Sequence, residues 1–156
     1  VLAKKCVFNP IILPFNPNGK PQHVKGFLDK FANTAQSTAD FLNDVARLDI
    51  PMVGVDASLL LVYRDEYTKT LGDKRGDFSV LAVHEWLSQS ANDALKQLKV
   101  PNQPSQPLGL CTHCTEKTAL PLSEKQWPVI FGQLTVPVDI VSVGCCGMAG
   151  TSGHES

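Results

Sequence analysis

Along most of the chain, short apolar runs alternate with longer stretches in which apolar residues return every three or four positions. Val24, Phe27, Leu28, Phe31, Ala35, Ala39, Leu42 and Val45 recur at helical spacing, with Lys25, Asp29, Lys30, Asp40 and Asp44 opposite them. That pattern predicts one long amphipathic helix. Before it, "IILPF" (11–15) reads as a strand, and "NPNGKPQ" as a turn that stops the chain from entering a helix at once.

The alternation then repeats. "IPMVGVD" (50–56) reads as a buried strand, followed by a helix through "SLLLVYRDEYTKTL" that Gly72 ends in a left-handed cap. Leu81, Leu87, Ala91, Leu95 and Leu98 form the stripe of a third helix. "VPNQPSQPLG" (100–109) holds three prolines and reads as a surface loop between two halves of one domain spanning residues 1–156. "LGLCT" is a short strand, Ser123 and Gln126 suggest a capping box for a helix through Trp127 and Phe131, and "VDIVSV" is a last strand. Strands and helices in alternation predict an α/β fold, a Rossmann-like layered module with a parallel sheet of about four strands covered by helices. In such sheets ligands bind beyond the carboxyl ends of the strands. There the chain places "NPNGKPQH", Asp56 with Ser58, "THCTEK" and "GCCGMAG". Both ends read as cut: "VLAKK" resembles the tail of a helix, and nothing covers the last strand, so the module is expected to be truncated.

Composition narrows the chemistry. The 156 residues are 43% hydrophobic with a formal net charge of -1, enough for one core of ordinary size. The 14 lysines and arginines form no run longer than a pair, which argues against nucleic acid as a partner. No apolar run is long enough for a transmembrane segment and the first residues lack signal-peptide zones, so the expected location is cytoplasmic, or peripheral at the inner membrane. Five cysteines without a secretory signal point to reduced thiols, metal ligation or redox work rather than to a disulfide framework. Cys6 reads as a small buried hydrophobe.

The remaining four cysteines, Cys111, Cys114, Cys145 and Cys146, carry the sharpest signal. Cys111-x2-Cys114 is followed after thirty residues by the adjacent pair, flanked by Gly144 and Gly147. Vicinal side chains serve one site only where the backbone turns sharply, which glycines allow. Adjacent ligands are awkward for one tetrahedral zinc ion, whereas an iron-sulphur cluster spreads its ligands over several irons. The plain alternative is small residues packing at a sheet edge, with a reversible disulfide. Phosphate-binding fingerprints fail here: Gly144 is followed two residues on by Cys146, and no P-loop motif occurs. "TSGHE" lacks the nucleophile elbow of a serine hydrolase, so Ser152 and His154 carry little. His113, between two cysteines, is a candidate ligand or a loop histidine bonded to backbone. His84 reads as structural, "YRDEY" (63–67) as a helix face with internal ion pairs or a docking surface, and His23 with Lys20 as a solvated loop or a contact for an acidic substrate or a partner domain.

"HCTEKTALP" followed by "VSVGCCGMAGTSGHE" resembles the cysteine-rich CCG module of the iron-sulphur parts of glycolate oxidase, anaerobic glycerol-3-phosphate dehydrogenase and heterodisulfide reductase. "LPFNPNGKPQHVKGFLDKF" and "PMVGVDASLLLVYRDEY" extend the likeness to large bacterial FAD-linked oxidases, of the D-2-hydroxyglutarate dehydrogenase type related to D-lactate dehydrogenases. The resemblance implies electron transfer: FAD in a domain outside this stretch takes a hydride from a 2-hydroxy acid, and electrons leave through iron-sulphur centres toward a quinone or another acceptor. It implies flavin and ferredoxin-like domains in the same polypeptide as partners. Cys114, Cys145 and Cys146 match the family's ligand or redox positions, while Cys111 belongs to the spacing argument alone. Where many relatives read "EPSC", this chain reads "DASL", so Leu59 removes one thiol. A later cysteine-bearing stretch of the module lies beyond Ser156, so a cluster here would be incomplete or absent. The other reading is a zinc-binding or metal-free scaffold domain that closes a neighbouring catalytic domain.

Overall fold

The computed structural model describes residues 6, 8–90 and 92–144, which fall into two compact units. One comprises residues 15–82 with Gly144, the other residues 6, 8–14 and 83–143.

In the 15–82 unit the long amphipathic helix is present but starts late. A short helix α1 (Lys20–Val24) ends at Lys25, Gly26 turns the chain with φ 76°, and α2 runs from Leu28 to Ala46. Only the later part of the predicted stripe is buried, on Phe31, Ala35, Ala39 and Leu42 together with Thr38. Val24, Phe27 and Leu28, expected on that stripe, are more than half exposed because the turn at Gly26 breaks the helical phase. Strand β1 (Met52–Gly54) leads to α3 (Ala57–Leu61), whose N-cap is Asp56 accepting from the Leu59 amide at 2.7 Å. A π-helical turn (Val62–Glu66) joins α3 to α4 (Tyr67–Leu71). Gly72 ends this run with φ 53° and ψ -131°, a positive φ but not the left-handed helical basin, and a 3₁₀ turn follows over Gly72–Arg75. Strand β2 (Val80–Ala82) pairs parallel to β1, Met52 opposite Val80 and Gly54 opposite Ala82.

A row of aromatic rings holds this unit together. Phe31 meets His23 at 4.8 Å and Tyr67 at 5.9 Å between ring centres, Tyr63 meets Tyr67 at 5.4 Å and Phe78 at 6.4 Å, and the Arg75 guanidinium lies 4.1 Å over Phe78. The buried Tyr67 hydroxyl donates to the Asn18 carbonyl at 3.0 Å. In "YRDEY" Arg64 turns to the Val80 carbonyl at 2.7 Å.

The 83–143 unit is built from α5 (Val83–Ser90), α6 (Asn92–Gln97), β3 (Leu108–Leu110), α7 (Cys114–Ala119), α8 (Ser123–Gln133) and β4 (Val138–Ile140). β3 and β4 are parallel, Leu108 opposite Val138 and Leu110 opposite Ile140. Its core is Cys6, Leu87, Leu95, Ile130, Leu134 and Val136, ringed by Phe8, Trp86, Trp127 and Phe131. Cys6 is 4% exposed, and burial pushes its thiol pKa up, as suits a small core hydrophobe.

Four further expectations are corrected. The described residues form two parallel pairs rather than one sheet of about four strands. The reason shows on the strands: Val53 of β1 and Leu108 of β3 are 37% and 47% exposed, whereas a central parallel strand is buried on both faces. "IILPF" forms no strand; Pro10 precedes it and Pro14 lies inside it, and Ile12 and Phe15 are 94% and 92% exposed. Leu81 lies in β2 rather than at the head of a helix, because a three-residue strand running straight into α5 leaves no alternation to read. Finally, α8 starts where expected but Leu122 is its N-cap and Ser123, fully buried, makes no capping bond.

Two outcomes follow for the 156-residue chain. Gly76 has φ 71° and ψ -171°, and a Cβ there would stand 2.4 Å from Asn43 Nδ2. Gly76→Ala is expected to destabilise the chain by about 2 kcal/mol, measured as a lower urea midpoint by far-UV circular dichroism; an unchanged midpoint refutes the strain. Burial raises the Tyr67 phenol above its ordinary pKa of 10.0. The folded state therefore favours the protonated phenol, a stabilisation complete below pH 10.0 and lost as pH rises through the folded value. Tyr67→Phe is expected to flatten the fall in stability as pH rises above 10.0, and an equally steep fall in the variant would contradict this.

Candidate functional site

Parallel pairing decides where the cysteine-bearing loop emerges. The ladder runs one bond past the strands, the Val141 amide donating to the Leu110 carbonyl at 3.0 Å, so the chain leaves β3 and β4 side by side at one edge. Gly109 allows this closeness: a Cβ there would approach Val141 Cγ2 to 3.1 Å. Directly after β3 come exposed Cys111, then Thr112, exposed His113 and half-buried Cys114, the first residue of α7. Both thiols are free, as is that of Cys6.

His113 has a definite local task. Its Nδ1 accepts from the Thr115 amide at 3.2 Å and so caps α7. An accepting Nδ1 leaves the proton on Nε2, so in this arrangement neither ring nitrogen offers a free lone pair to a metal. Of the two alternatives for His113, the geometry matches the histidine bonded to backbone.

The loop is gripped by α8. Thr112 Oγ1 donates to Glu124 Oε1 at 3.0 Å, and Trp127 Nε1 donates to Glu116 Oε1 at 2.7 Å. His84, 3% exposed on α5, brings Nδ1 to 3.5 Å from the same Glu116 oxygen. Lys117 reaches Glu124 at 3.7 Å and Ser142 Oγ at 3.5 Å, linking the loop to the chain beyond β4. Glu116, Glu124 and Trp127 were not singled out by spacing or motif. A signal was available in His84, a polar residue on the apolar face of a helix, which implies a buried partner.

Cys145, Cys146 and His154 lie outside the described residues. Among the described residues no group of three His, Cys, Asp or Glu side chains converges as a metal site. Of the thiols read as candidate donors, Cys111 and Cys114 lie among the described residues, and both are free. In the other unit the loops predicted to meet do so: Lys20 donates through Nζ to the Ser58 carbonyl at 3.1 Å and to Ser58 Oγ, while His23 lies against Phe31 and Asp56 serves as a helix cap. No helix among the described residues is long and apolar enough to cross a membrane.

No family model matches the chain, and no solved structure matches it. Among curated proteins it is 54% identical over 155 residues to a D-2-hydroxyglutarate dehydrogenase of Pantoea ananatis, 99% of this chain and 15% of that relative. It is 52% identical to the proteins of that name from Escherichia coli and Haemophilus influenzae, covering 99% of this chain and 15% and 16% of theirs. The chain therefore spans about 15% of the length of the first of these relatives.

The cap on α7 is testable. His113→Ala is expected to cost about 1 kcal/mol and His113→Asn only a few tenths, since asparagine caps as well. Urea unfolding followed by tryptophan fluorescence reads this unit directly, because Trp86 and Trp127 both lie in it. Equal loss in the two variants would mean that the imidazole does something other than cap.

Proposed function

We propose that this chain is the thiol-bearing electron-transfer segment of an FAD-dependent D-2-hydroxy acid dehydrogenase acting on 2-hydroxyglutarate. The observation that carries the reading is identity of 52% to 54%, along 99% of the chain, to proteins named for that activity. The gathering of Cys111, Cys114 and the exit of β4 at one edge supports the thiol role. FAD and a ferredoxin-like domain then belong to other parts of the same polypeptide, with a quinone or another acceptor beyond them and the cytoplasm as the compartment.

In this reading Cys111 and Cys114 supply two thiolates at the carboxyl edge of β3, and Cys145 and Cys146 the other two. When bound, an iron-sulphur cluster would supply one-electron transfer, which couples a two-electron flavin to its acceptor. The chain's own task is to hold these thiols in place. The crossover from β3 to β4 sets the edge, the His113 cap fixes the direction of α7, and the Thr112 and Glu116 contacts to α8 fix the chain on both sides of Cys114. Thiolates stay nucleophilic and metal-binding only where access and local charge permit, and Cys111 is exposed.

The test uses the whole protein, purified without oxygen. Cys114→Ala and Cys145→Ala are each expected to lower iron and acid-labile sulphide and to reduce acceptor turnover to background, while reduction of the flavin by D-2-hydroxyglutarate persists. Unchanged iron and unchanged acceptor turnover would favour the other reading, a zinc-binding or metal-free scaffold that closes a neighbouring catalytic domain. Zinc analysis of the same samples separates those two.

A further inference from the structure

The Glu116 carboxylate is in an unusual place for a first-turn glutamate. Such residues commonly face water, where they favour the helix dipole at no cost in side-chain order. Here Glu116 is turned inward, its side chain 15% exposed, onto the indole N–H of Trp127 at 2.7 Å and toward His84 Nδ1 at 3.5 Å. A carboxylate held by a ring donor in a half-buried setting makes a charge-assisted bond, stronger than a neutral one and demanding in geometry. Both ends of the contact are fixed by packing. His84 and Trp127 rings lie 5.6 Å apart, and Trp127 in turn packs on Phe131 at 6.1 Å.

The position of this peg along the chain gives it its consequence. Glu116 is two residues after Cys114 in the first turn of α7, and Thr112, two residues before Cys114, is pegged to Glu124. Glu124 and Trp127 are three apart on α8 and so share one face. A single helix face therefore grips the loop on both sides of Cys114.

We propose that Glu116, held by Trp127 and His84, is the positioning residue for the Cys114 thiol. It touches neither substrate nor cofactor and acts through the first turn of α7. Outer partners of this kind orient ligands and are felt strongly when removed. Its purpose rests on the proposed role of the thiols in electron transfer, but the positioning itself is read on the thiol and needs no metal.

The experiment is competitive alkylation with iodoacetamide in the whole protein, after chelation under reducing conditions, with rates read for each cysteine by peptide mass spectrometry. Glu116→Ala and Trp127→Phe are expected to speed modification of Cys114 about tenfold relative to Cys111, and Glu116→Gln, which keeps the oxygen that Trp127 binds, to stay within about twofold of the parent. Cys6, buried in the core of the same unit, is expected to stay slow in all of them and reports unfolding. An unchanged ratio of Cys114 to Cys111 overturns the proposal. So does acceleration of Cys6 in step with Cys114, which would make Glu116 a support of the fold alone, and so does a Gln variant that behaves like Ala. An altered thiol ratio in a protein without iron in excess of its ferredoxin-like domain would leave positioning intact and refute the cluster.

Discussion

Parallel pairing of β3 with β4 is the constraint on which the site depends. Two parallel strands cannot be joined by a tight turn; the chain must return to the start of the sheet before the second strand begins. Residues 111–137 make that return through α7 and α8, and the carboxyl ends of both strands consequently lie at one edge. The cysteine spacing that looks arbitrary in one dimension, a pair, a long gap and another pair, then has a simple origin. The gap is the crossover.

The crossover has a second duty, and α8 performs it. Its Ile130 and the following Leu134 are buried in the core with Cys6, Leu87 and Leu95, while Glu124 and Trp127 near its start hold the loop after β3. One helix thus couples the apolar packing of the unit to the placement of its polar edge. This arrangement tolerates Pro128 inside the helix, since the apolar contacts rather than an unbroken run of backbone bonds fix its place. Buried polar groups are dangerous unless partnered, and the network of His84, Glu116 and Trp127 is partnered. The fully buried Ser123 Oγ has no partner among the described residues, at the same end of the same helix.

Much of this was legible in the sequence. The α2 stripe, the proline-rich loop, β3, β4 and α8 all announce themselves by period, breaker or position. What failed did so for identifiable reasons. "IILPF" has the composition of a strand, but one proline just before it, one within it and no pairing strand among the described residues leave it unpaired and exposed. β2 is three residues long and merges with the apolar face of α5, so its period cannot be separated from the helix that follows. The sheet count failed because strand number in sequence says nothing about which strands share a ladder. At the candidate site, spacing singled out Cys111, His113 and Cys114 as candidates, but spacing cannot tell a ligand from a cap. His113 resolves into a cap only once the Thr115 amide is seen to point at its ring.

The departure at Leu59 bears on how the thiols are divided. Where the resemblance implies a cysteine in many relatives, Leu59 stands in the first turn of α3, and it is 43% exposed. An exposed leucine adds little to a core, so the change is not explained by packing. Its amide, not its side chain, has the local role, donating to Asp56. In the proposed reading Cys111, which the family pattern does not require, is a candidate donor that the spacing alone places beside Cys114. It sits on the correct strand end, exposed and free, three residues before Cys114. The loop between them is pegged at Thr112 and capped at His113, contacts that involve neither thiol.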